Sequence, residues 1–436
     1  MTAIAAAPSA AGRHLIGRLD RTRETPMFFK VFALVSAGMM LDAIDVYMAS
    51  AVASASLKSG WSTLAQNSWF LSAGFAGLFA GSLLAGFIGD LWGRRAAYQV
   101  NLLLFGGFTL LGAFAPNMTV LALLRFGAGV GLGAEIVTGY SMVNEFAPVR
   151  RRGRWCALTS VIANCGAPIA LLLCSAIIPR YGWRVMFIGV GILAALLWVL
   201  RRDIPESPRW QIVHGQEERA AATIALLEQN GTDPEPERVP RAASTSRSFL
   251  IGLMVATVAV SATIVCQYTF TSWVPTLLVK RGIDISGSLW LSTLMMLGAP
   301  VGCILGAVLV DRIGRRRTIV PAFVLTAVFG VLYALQASQL GAVLVGFCLT
   351  TCFYVLMASV VAVYAAELFP TGVRFRGVGV ANAVAKLLTV VMPLVVAWAL
   401  TVSGPWVVFA GISVIALVAG AVVWIWGPET SRRSLG

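Results

Sequence analysis

Gly89-Asp90-Leu91-Trp92-Gly93-Arg94-Arg95 recurs in outline as Val310-Asp311-Arg312-Ile313-Gly314-Arg315-Arg316. A second pair keeps nearly the same interval: Glu145-x-x-Pro148 followed by Arg152, and Glu367-x-x-Pro370 followed by Arg374. The chain is therefore two versions of one unit of roughly 220 residues. In a membrane protein, duplication of this kind places a binding site between the two repeats.

Composition supplies the membrane. Hydrophobic residues make up 58% of the chain and charged residues 12%, with a mean hydropathy of +0.82, outside the range of soluble globular proteins. A helix needs about 20 apolar residues to cross ~30 Å of hydrocarbon. Twelve stretches meet that need, at about 28–53, 67–89, 97–115, 118–145, 155–178, 184–200, 248–274, 288–310, 318–336, 340–366, 376–401 and 406–427. The predicted fold is an all-α membrane protein of twelve transmembrane helices in two pseudo-symmetric six-helix bundles. Its expected parts are an N-terminal tail (1–27), a first bundle (28–202), a linker (203–247), a second bundle (248–427) and a C-terminal tail (428–436).

The net charge of +14 would suit a nucleic-acid binder, but its distribution argues for topology instead. Of the 33 Lys and Arg, 26 fall in the tails, in the loops that share one side and, for Lys30, at the adjoining end of the first span. The other side has Lys58, Arg180, Arg184, Lys280 and Arg281. By the positive-inside rule both termini are cytoplasmic, in a cell inner membrane, with no nucleic-acid partner. The first 27 residues carry Arg13, Arg18, Arg21 and Arg23 and no apolar core, so they do not read as a signal peptide. All seven cysteines lie inside predicted spans without histidine at metal-ligand spacing, which predicts neither a disulfide scaffold nor a metal site. The linker holds one weakly amphipathic helix at about 215–230, with Ala221, Ile224 and Leu227 on its apolar face. It otherwise reads as a cytoplasmic tether, mobile over 232–247.

The doubled Gly-Asp-x-x-Gly-Arg-Arg loop, the doubled Glu-x-x-Pro…Arg and the span count together resemble the major facilitator superfamily, from about Phe28 to Thr430. Pro205-Glu206-Ser207-Pro208-Arg209 and Pro428-Glu429-Thr430 are similar to its sugar-porter branch. Span 7, Cys266-Gln267-Tyr268-Thr269-Phe270-Thr271-Ser272-Trp273-Val274-Pro275-Thr276, departs from the hexose-transporter pattern and looks more like nicotinate and aromatic-acid:proton symporters. Those symporters carry Asp-Gly-x-Asp in span 1, matched here by Asp42-Ala43-Ile44-Asp45 with Ala in place of Gly. The resemblance implies alternating-access transport.

The sequence places five charges in hydrocarbon: Asp42, Asp45, Arg125, Glu135 and Lys386. Each costs at least ~2.5–3.5 kcal/mol to insert, so each needs a function or a partner. Asp42 and Asp45 share one helical face and are candidate proton carriers, with Asp45 alternatively a structural partner of Arg125. Glu135, beyond the run Gly127-x-Gly129-x-Gly131-x-Gly133, reads equally as a proton relay or a buried ion pair. Lys386, near the midplane of span 11 after Asn382, reads as an anchor for a substrate anion or as the standing partner of Asp42, Asp45 or Glu135. Tyr47, Asn164, Gln267, Tyr268, Trp273 and Tyr354, with Arg125 and Asn382, complete the candidate substrate site. With His14 and His214 outside the spans, protons must travel on carboxylates.

The doubled loops read as gates: Asp90, Arg94, Arg95, Glu145 and Arg152 on one half, Asp311, Arg315, Glu367 and Arg374 on the other. Their network is expected to hold the outward-facing state and to break as the halves rock. No Gly-x-x-x-x-Gly-Lys-Ser/Thr loop is present, so ATP is not the predicted energy source. The expected activity is not enzymatic and needs no cofactor: proton-coupled import of a small organic anion, an aromatic or heterocyclic carboxylate, by a monomer. The alternatives are a proton-antiporting exporter and a membrane sensor on the same scaffold.

Overall fold

The computed structural model describes residues 9–148, 151–228, 249–336, 338–369 and 373–430. The predicted stretch 232–247 lies outside them.

The first half consists of span 1 (Pro26–Lys58), span 2 (Leu64–Trp92), span 3 (Arg94–Gly112), span 4 (Met118–Phe146), span 5 (Arg152–Tyr181) and span 6 (Arg184–Leu200). The second contains span 7 (Phe249–Lys280), span 8 (Ile285–Met296 with Gly298–Arg312), span 9 (Arg315–Leu335), span 10 (Gln339–Leu356 continuing to Glu367), span 11 (Arg374–Val402) and span 12 (Pro405–Trp426). Eleven of the described helices are long and apolar enough to cross a bilayer on their own. Span 3 is the exception. Its 19 residues cover about 28 Å at the helical rise, but Tyr98 and Asn101 make it less apolar. Both are buried, and Asn101 Nδ2 donates to Thr138 Oγ1 of span 4 at 3.2 Å.

Local chemistry sets the helix starts. Thr25 caps span 1 with Pro26 in its first turn, and Thr63 with Gln66 forms a capping box at span 2. Span 10 departs from the α-helix as a π-helical stretch over Met357–Tyr364, a local widening that often accompanies functional sites.

The glycine run of span 4 works as packing on two sides. A Cβ at Gly129 or Gly133 would lie 2.5 Å from Gly74 O or 2.2 Å from Leu78 O of span 2, while one at Gly131 would lie 2.6 Å from Asn101 O of span 3. Span 2 reciprocates, since a Cβ at Gly77 or Gly81 would meet Phe126 O or Val130 O of span 4 at 2.2 or 2.0 Å. Gly298 and Gly302 hold the corresponding places of span 8 against Phe347 O and Thr351 O of span 10, at 2.6 and 2.4 Å. The repeat thus extends from the loops into the helix packing.

The buried apolar side chains form three clusters, whose membership shows how the halves meet. One draws on both: Leu41, Met48, Phe70, Leu132 and Leu171 from the first, Phe270, Met295, Phe353 and Phe409 from the second. Most of its members occupy the span halves away from the basic loops. Towards the basic loops each half has its own cluster, Phe28, Met39, Met142 and Ile224 in one, Val260, Phe323, Leu356 and Ala385 in the other. The halves are therefore sealed together on one side and parted on the basic side.

The basic side of the first half also carries a helical cap. Ala10–Asp20 packs with Pro208–Val213 and Glu217–Leu227, burying Leu15, Leu19, Ile212, Ala220, Ile224 and Leu227. Arg209 pairs with Asp20, and Arg18 with Glu228. Residues 208–227 are thus built into the first half, where a tether was expected; the apolar face that looked weak in isolation is completed by the N-terminal helix.

Candidate functional site

The polar groups of the membrane interior gather at the depth where the shared cluster ends and the separate ones begin. In span 1, Met39 belongs to the basic-side cluster and Leu41 to the shared one, so Asp42, Asp45 and Tyr47 start at the boundary. In span 7 the boundary falls between Ile264 and Cys266, beside Gln267. Span 10 crosses it at Tyr354 and Val355, and Lys386 lies between Ala385 of one cluster and Val396 of the other. This level is the apex of the gap between the halves.

Asp45 and Arg125 are brought together. The guanidinium Nη1 contacts Asp45 Oδ2, and Nη2 donates to the Asp45 carbonyl at 3.2 Å, with both side chains buried. Gly74 makes room for this arginine, since a Cβ there would lie 3.1 Å from its Nε. Ala43 fits because span 5 presents Gly166, where a Cβ would come within 2.8 Å of the Ala43 methyl.

Glu135 finds an ionic partner that sequence reading had counted among the loop arginines. Arg201, one residue past the end of span 6, is 1% exposed; its Nη1 lies 2.8 Å from Glu135 Oε1. Its Nη2 donates to Leu34 O at 3.2 Å, and its guanidinium stacks 3.9 Å from the Tyr98 ring centroid. A Cβ at Gly38 would fall 1.5 Å from Nη2, so this glycine admits the arginine between the helices. With Arg201, the charges in the membrane interior among the described residues number six rather than five; five of them, Asp42, Asp45, Arg125, Glu135 and Arg201, are buried, and Lys386 is half-buried. Asp42 is 2% exposed, with no hydrogen-bond partner for either carboxylate oxygen.

Tyr47, Tyr354 and Gln267 also meet. The two phenols hydrogen-bond to each other, and Gln267 Nε2 donates to both, at 3.0 and 3.1 Å. This joins span 1 to spans 7 and 10 across the halves. Tyr268 lies against Phe75, ring centroids 4.9 Å apart. Asn164 reaches Cys303 Sγ at 3.3 Å, linking spans 5 and 8, whereas Asn382 only donates to Val378 O of its own helix. Trp273 is 1% exposed within the shared apolar cluster. Lys386 has no carboxylate within ion-pair distance among the described residues and is not the standing partner of Asp42, Asp45 or Glu135 in this conformation.

The doubled loops fold alike. Arg94 pairs with Asp90 at 2.8 Å and Glu145 at 3.3 Å; Arg315 pairs with Asp311 at 3.5 Å and Glu367 at 2.9 Å. Each set lies within one half and is intact while the basic side is open, so parting the halves does not require these bonds to break. Arg95 Nη2 bonds the Arg202 carbonyl. Arg152 makes no ion pair among the described residues, and the Arg374 side chain lies outside them. Two residues missing from the predicted network complete it: Glu206 and Glu429 accept the backbone N–H of Arg94 and Arg315, each at 2.8 Å.

The model of the "Sugar (and other) transporter" family matches residues 31–436. The chain belongs to that family, within the major facilitator superfamily. It is thus a multi-pass membrane transporter and not an enzyme. It is 33% identical over 438 residues to the inner membrane metabolite transport protein YdjE of Escherichia coli (strain K12), covering 96% of each chain. It is 27% identical over 433 residues to the niacin transporter NiaP of Acinetobacter baylyi, covering 97% of this chain and 98% of that one. The inward-open structure of the xylose transporter XylE from E. coli superposes with a TM-score of 0.78 at 16% identity, covering 94% of this chain and 98% of XylE. That likeness carries the fold.

Proposed function

We propose that this protein is a proton-coupled secondary transporter that imports a small organic anion, an aromatic or heterocyclic carboxylate, by alternating access. The observation that carries the reading is Lys386, a cation without a carboxylate partner among the described residues, at the apex of the gap between the halves. An unpaired ammonium in hydrocarbon costs about 2.5–3.5 kcal/mol on insertion scales; a bound carboxylate offsets that cost in the loaded state. As a point charge, Lys fixes an anion without demanding bidentate geometry. The phenols and amide of Tyr47, Tyr268, Tyr354 and Gln267 would face a flat ring. The likeness to a niacin transporter points to the same ligand class.

With the basic side cytoplasmic and the termini with it, the conformation described here is the inward-facing one of a monomer in the inner membrane. Closure on that side, with separation of the Tyr47–Tyr354–Gln267 junction, would give the outward-facing one. Protons would enter on the buried carboxylates of span 1 and span 4. The doubled loops would hold each half rigid as it rocks.

A thermal-shift screen of the purified protein against nicotinate, nicotinamide, benzoate, xylose and tetraphenylphosphonium tests the substrate class. Stabilisation by the carboxylates alone supports the reading; stabilisation by xylose or the lipophilic cation alone overturns it, the cation favouring an exporter.

A further inference from the structure

The sealed side carries charge that topology alone disfavours. Its loops and span ends hold five basic residues, Lys58, Arg180, Arg184, Lys280 and Arg281, against one acidic residue, Asp284. Basic residues opposite the basic loops weaken the signal that orients the chain, so each needs a purpose. Two have one in the fold. Arg184 stacks on Trp183 and Trp61, 4.4 and 5.3 Å from their ring centroids, and its Nη2 donates to Ala115 O at 2.9 Å. Arg281 Nη1 donates to Gln336 O at 3.1 Å. Asp284 caps span 8, accepting from Gly287 N at 3.2 Å.

Lys58 and Lys280 have no such tie. Both are exposed, and neither ammonium makes an ion pair or a hydrogen bond among the described residues. They are counterparts in the repeat, since the interval from Lys58 to Lys280 equals that from Glu145 to Glu367. Each is the last residue of its helix, span 1 or span 7. These two helices meet across the halves at Tyr47 and Gln267. The shared apolar cluster then runs on to Ala55 in span 1 and to Leu277 and Leu278 in span 7. One ammonium from each half therefore stands at the rim of the seal, just past its last apolar turn. Helix C-termini favour cations in general, but spans 3, 9 and 11 end on this side with none in their last turns.

We propose that Lys58 and Lys280 form a collar that draws small carboxylates into the cleft when the sealed side opens. This rests on the anionic-substrate and alternating-access reading above and names the residues at the mouth of that path. Opening the seal parts spans 1 and 7, so the two ammoniums flank the mouth from opposite halves, and Arg180 at the end of span 5 adds to their field. The low-dielectric walls of a cleft focus such a field along it and raise the local concentration of an anion. Lys386 is the cation at the far end. The attraction fades with salt, because the Debye length shrinks from about 30 Å at about 0.01 M to about 3 Å at about 1 M. The collar thus acts on encounter, while the fit of the bound ligand is left to the apex.

The first arm of the test needs no substrate. A cysteine introduced by Ala55→Cys lies within the seal and is reached only when that side opens. Its labelling rates with anionic sulfonatoethyl and cationic trimethylammonioethyl methanethiosulfonate are compared, after subtracting the protein without the substitution. The anionic reagent is expected to be favoured at low salt, and Lys58→Gln/Lys280→Gln should lower the anion-to-cation ratio about 5-fold or more. The difference should vanish at high salt. The second arm is nicotinate uptake by right-side-out vesicles: the double variant should lose kcat/KM at low salt and keep the maximal rate, while efflux from the opposite side is unaffected.

An unchanged labelling ratio in the double variant would overturn the collar, and so would a variant that loses thermal stability alone, as a helix-end role predicts. Salt-independent uptake kinetics shared by wild type and variant would overturn it as well. A ratio that behaves as expected in a wild type that carries nicotinamide or xylose but no carboxylate would instead refute the anionic-substrate reading.

Discussion

Glu206 and Glu429 do the same work in the two halves although neither belongs to the most visible part of the repeat. Each accepts a backbone N–H from the first residue of a span, Arg94 or Arg315, at 2.8 Å. Each also accepts from the next arginine's N–H and from the amide of the residue after itself, Ser207 or Thr430. The preceding glycines have φ of +90° and +110° at Gly93 and Gly314, and their missing side chains leave space for the carboxylates, since a Cβ would lie 2.3 Å from Glu206 and 3.0 Å from Glu429. The conformation and the clearance both call for glycine.

Because these carboxylates act as charged helix caps, Glu206→Gln and Glu429→Gln should each cost about 0.5–2 kcal/mol. The two sites lie in different halves without shared partners, so the double variant should lose close to the sum. Thermal unfolding of single and double variants in one detergent checks both statements; strong non-additivity would mean that the loops communicate directly.

Asp90→Asn and Asp311→Asn should slow transport while leaving the apparent affinity for substrate within a few-fold, because both lie on the basic-side loops and not at the apex. Initial rates of nicotinate uptake against concentration make the distinction. A variant that loses binding yet keeps its rate of conformational exchange would contradict the role of the doubled loops in holding each half rigid.

The sequence displayed the duplication, the twelve spans and the packing role of the glycine run because each is written as spacing or composition. It also permitted the Asp45–Arg125 pairing by depth alone. It did not display Arg201, which follows an unbroken apolar run by one residue and so reads as a loop charge. The available hints were the unmet need of Glu135 for a partner and a glycine at position 38. Glu206 and Glu429 were visible as family motifs but not as caps, since their bonding partners lie over a hundred residues away in the chain. The cap helices were underestimated for a related reason: Ile224 and Leu227 find their apolar partners in Leu15 and Leu19, at the other end of the first half.

The Tyr47–Tyr354–Gln267 junction crosses between the halves on the sealed side of the apex, so weakening it should favour the opposite conformation. Tyr354→Phe and Gln267→Leu each remove hydrogen bonds worth about 0.5–1.5 kcal/mol, a shift of roughly 2- to 12-fold in the conformational ratio. Labelling of an engineered cysteine on the sealed side should rise accordingly. Unchanged or reduced labelling would mean that the junction does not help to hold that side shut.

Breaking the buried Asp45–Arg125 pair should be expensive. Arg125→Met leaves Asp45 buried without a counter-ion and should destabilise the protein by about 3–5 kcal/mol, while adding Asp45→Asn should recover much of that loss. Thermal melts of the two variants decide it. Failure of the second substitution to rescue would mean that Arg125 serves something other than Asp45.

The central claim is that Lys386 selects an organic anion whose entry is driven by protons. It is tested most directly by uptake of nicotinate and of nicotinamide into proteoliposomes under an imposed proton gradient, in wild type and in Lys386→Met. The account predicts that wild type accumulates nicotinate and strongly discriminates against the amide. Lys386→Met should lose about 30-fold or more in apparent affinity for the acid, the equivalent of ~2–5 kcal/mol for a charged contact, and should hardly discriminate. Wild type that takes up acid and amide equally well, or a Lys386→Met variant that still prefers the acid as strongly as wild type does, would contradict it.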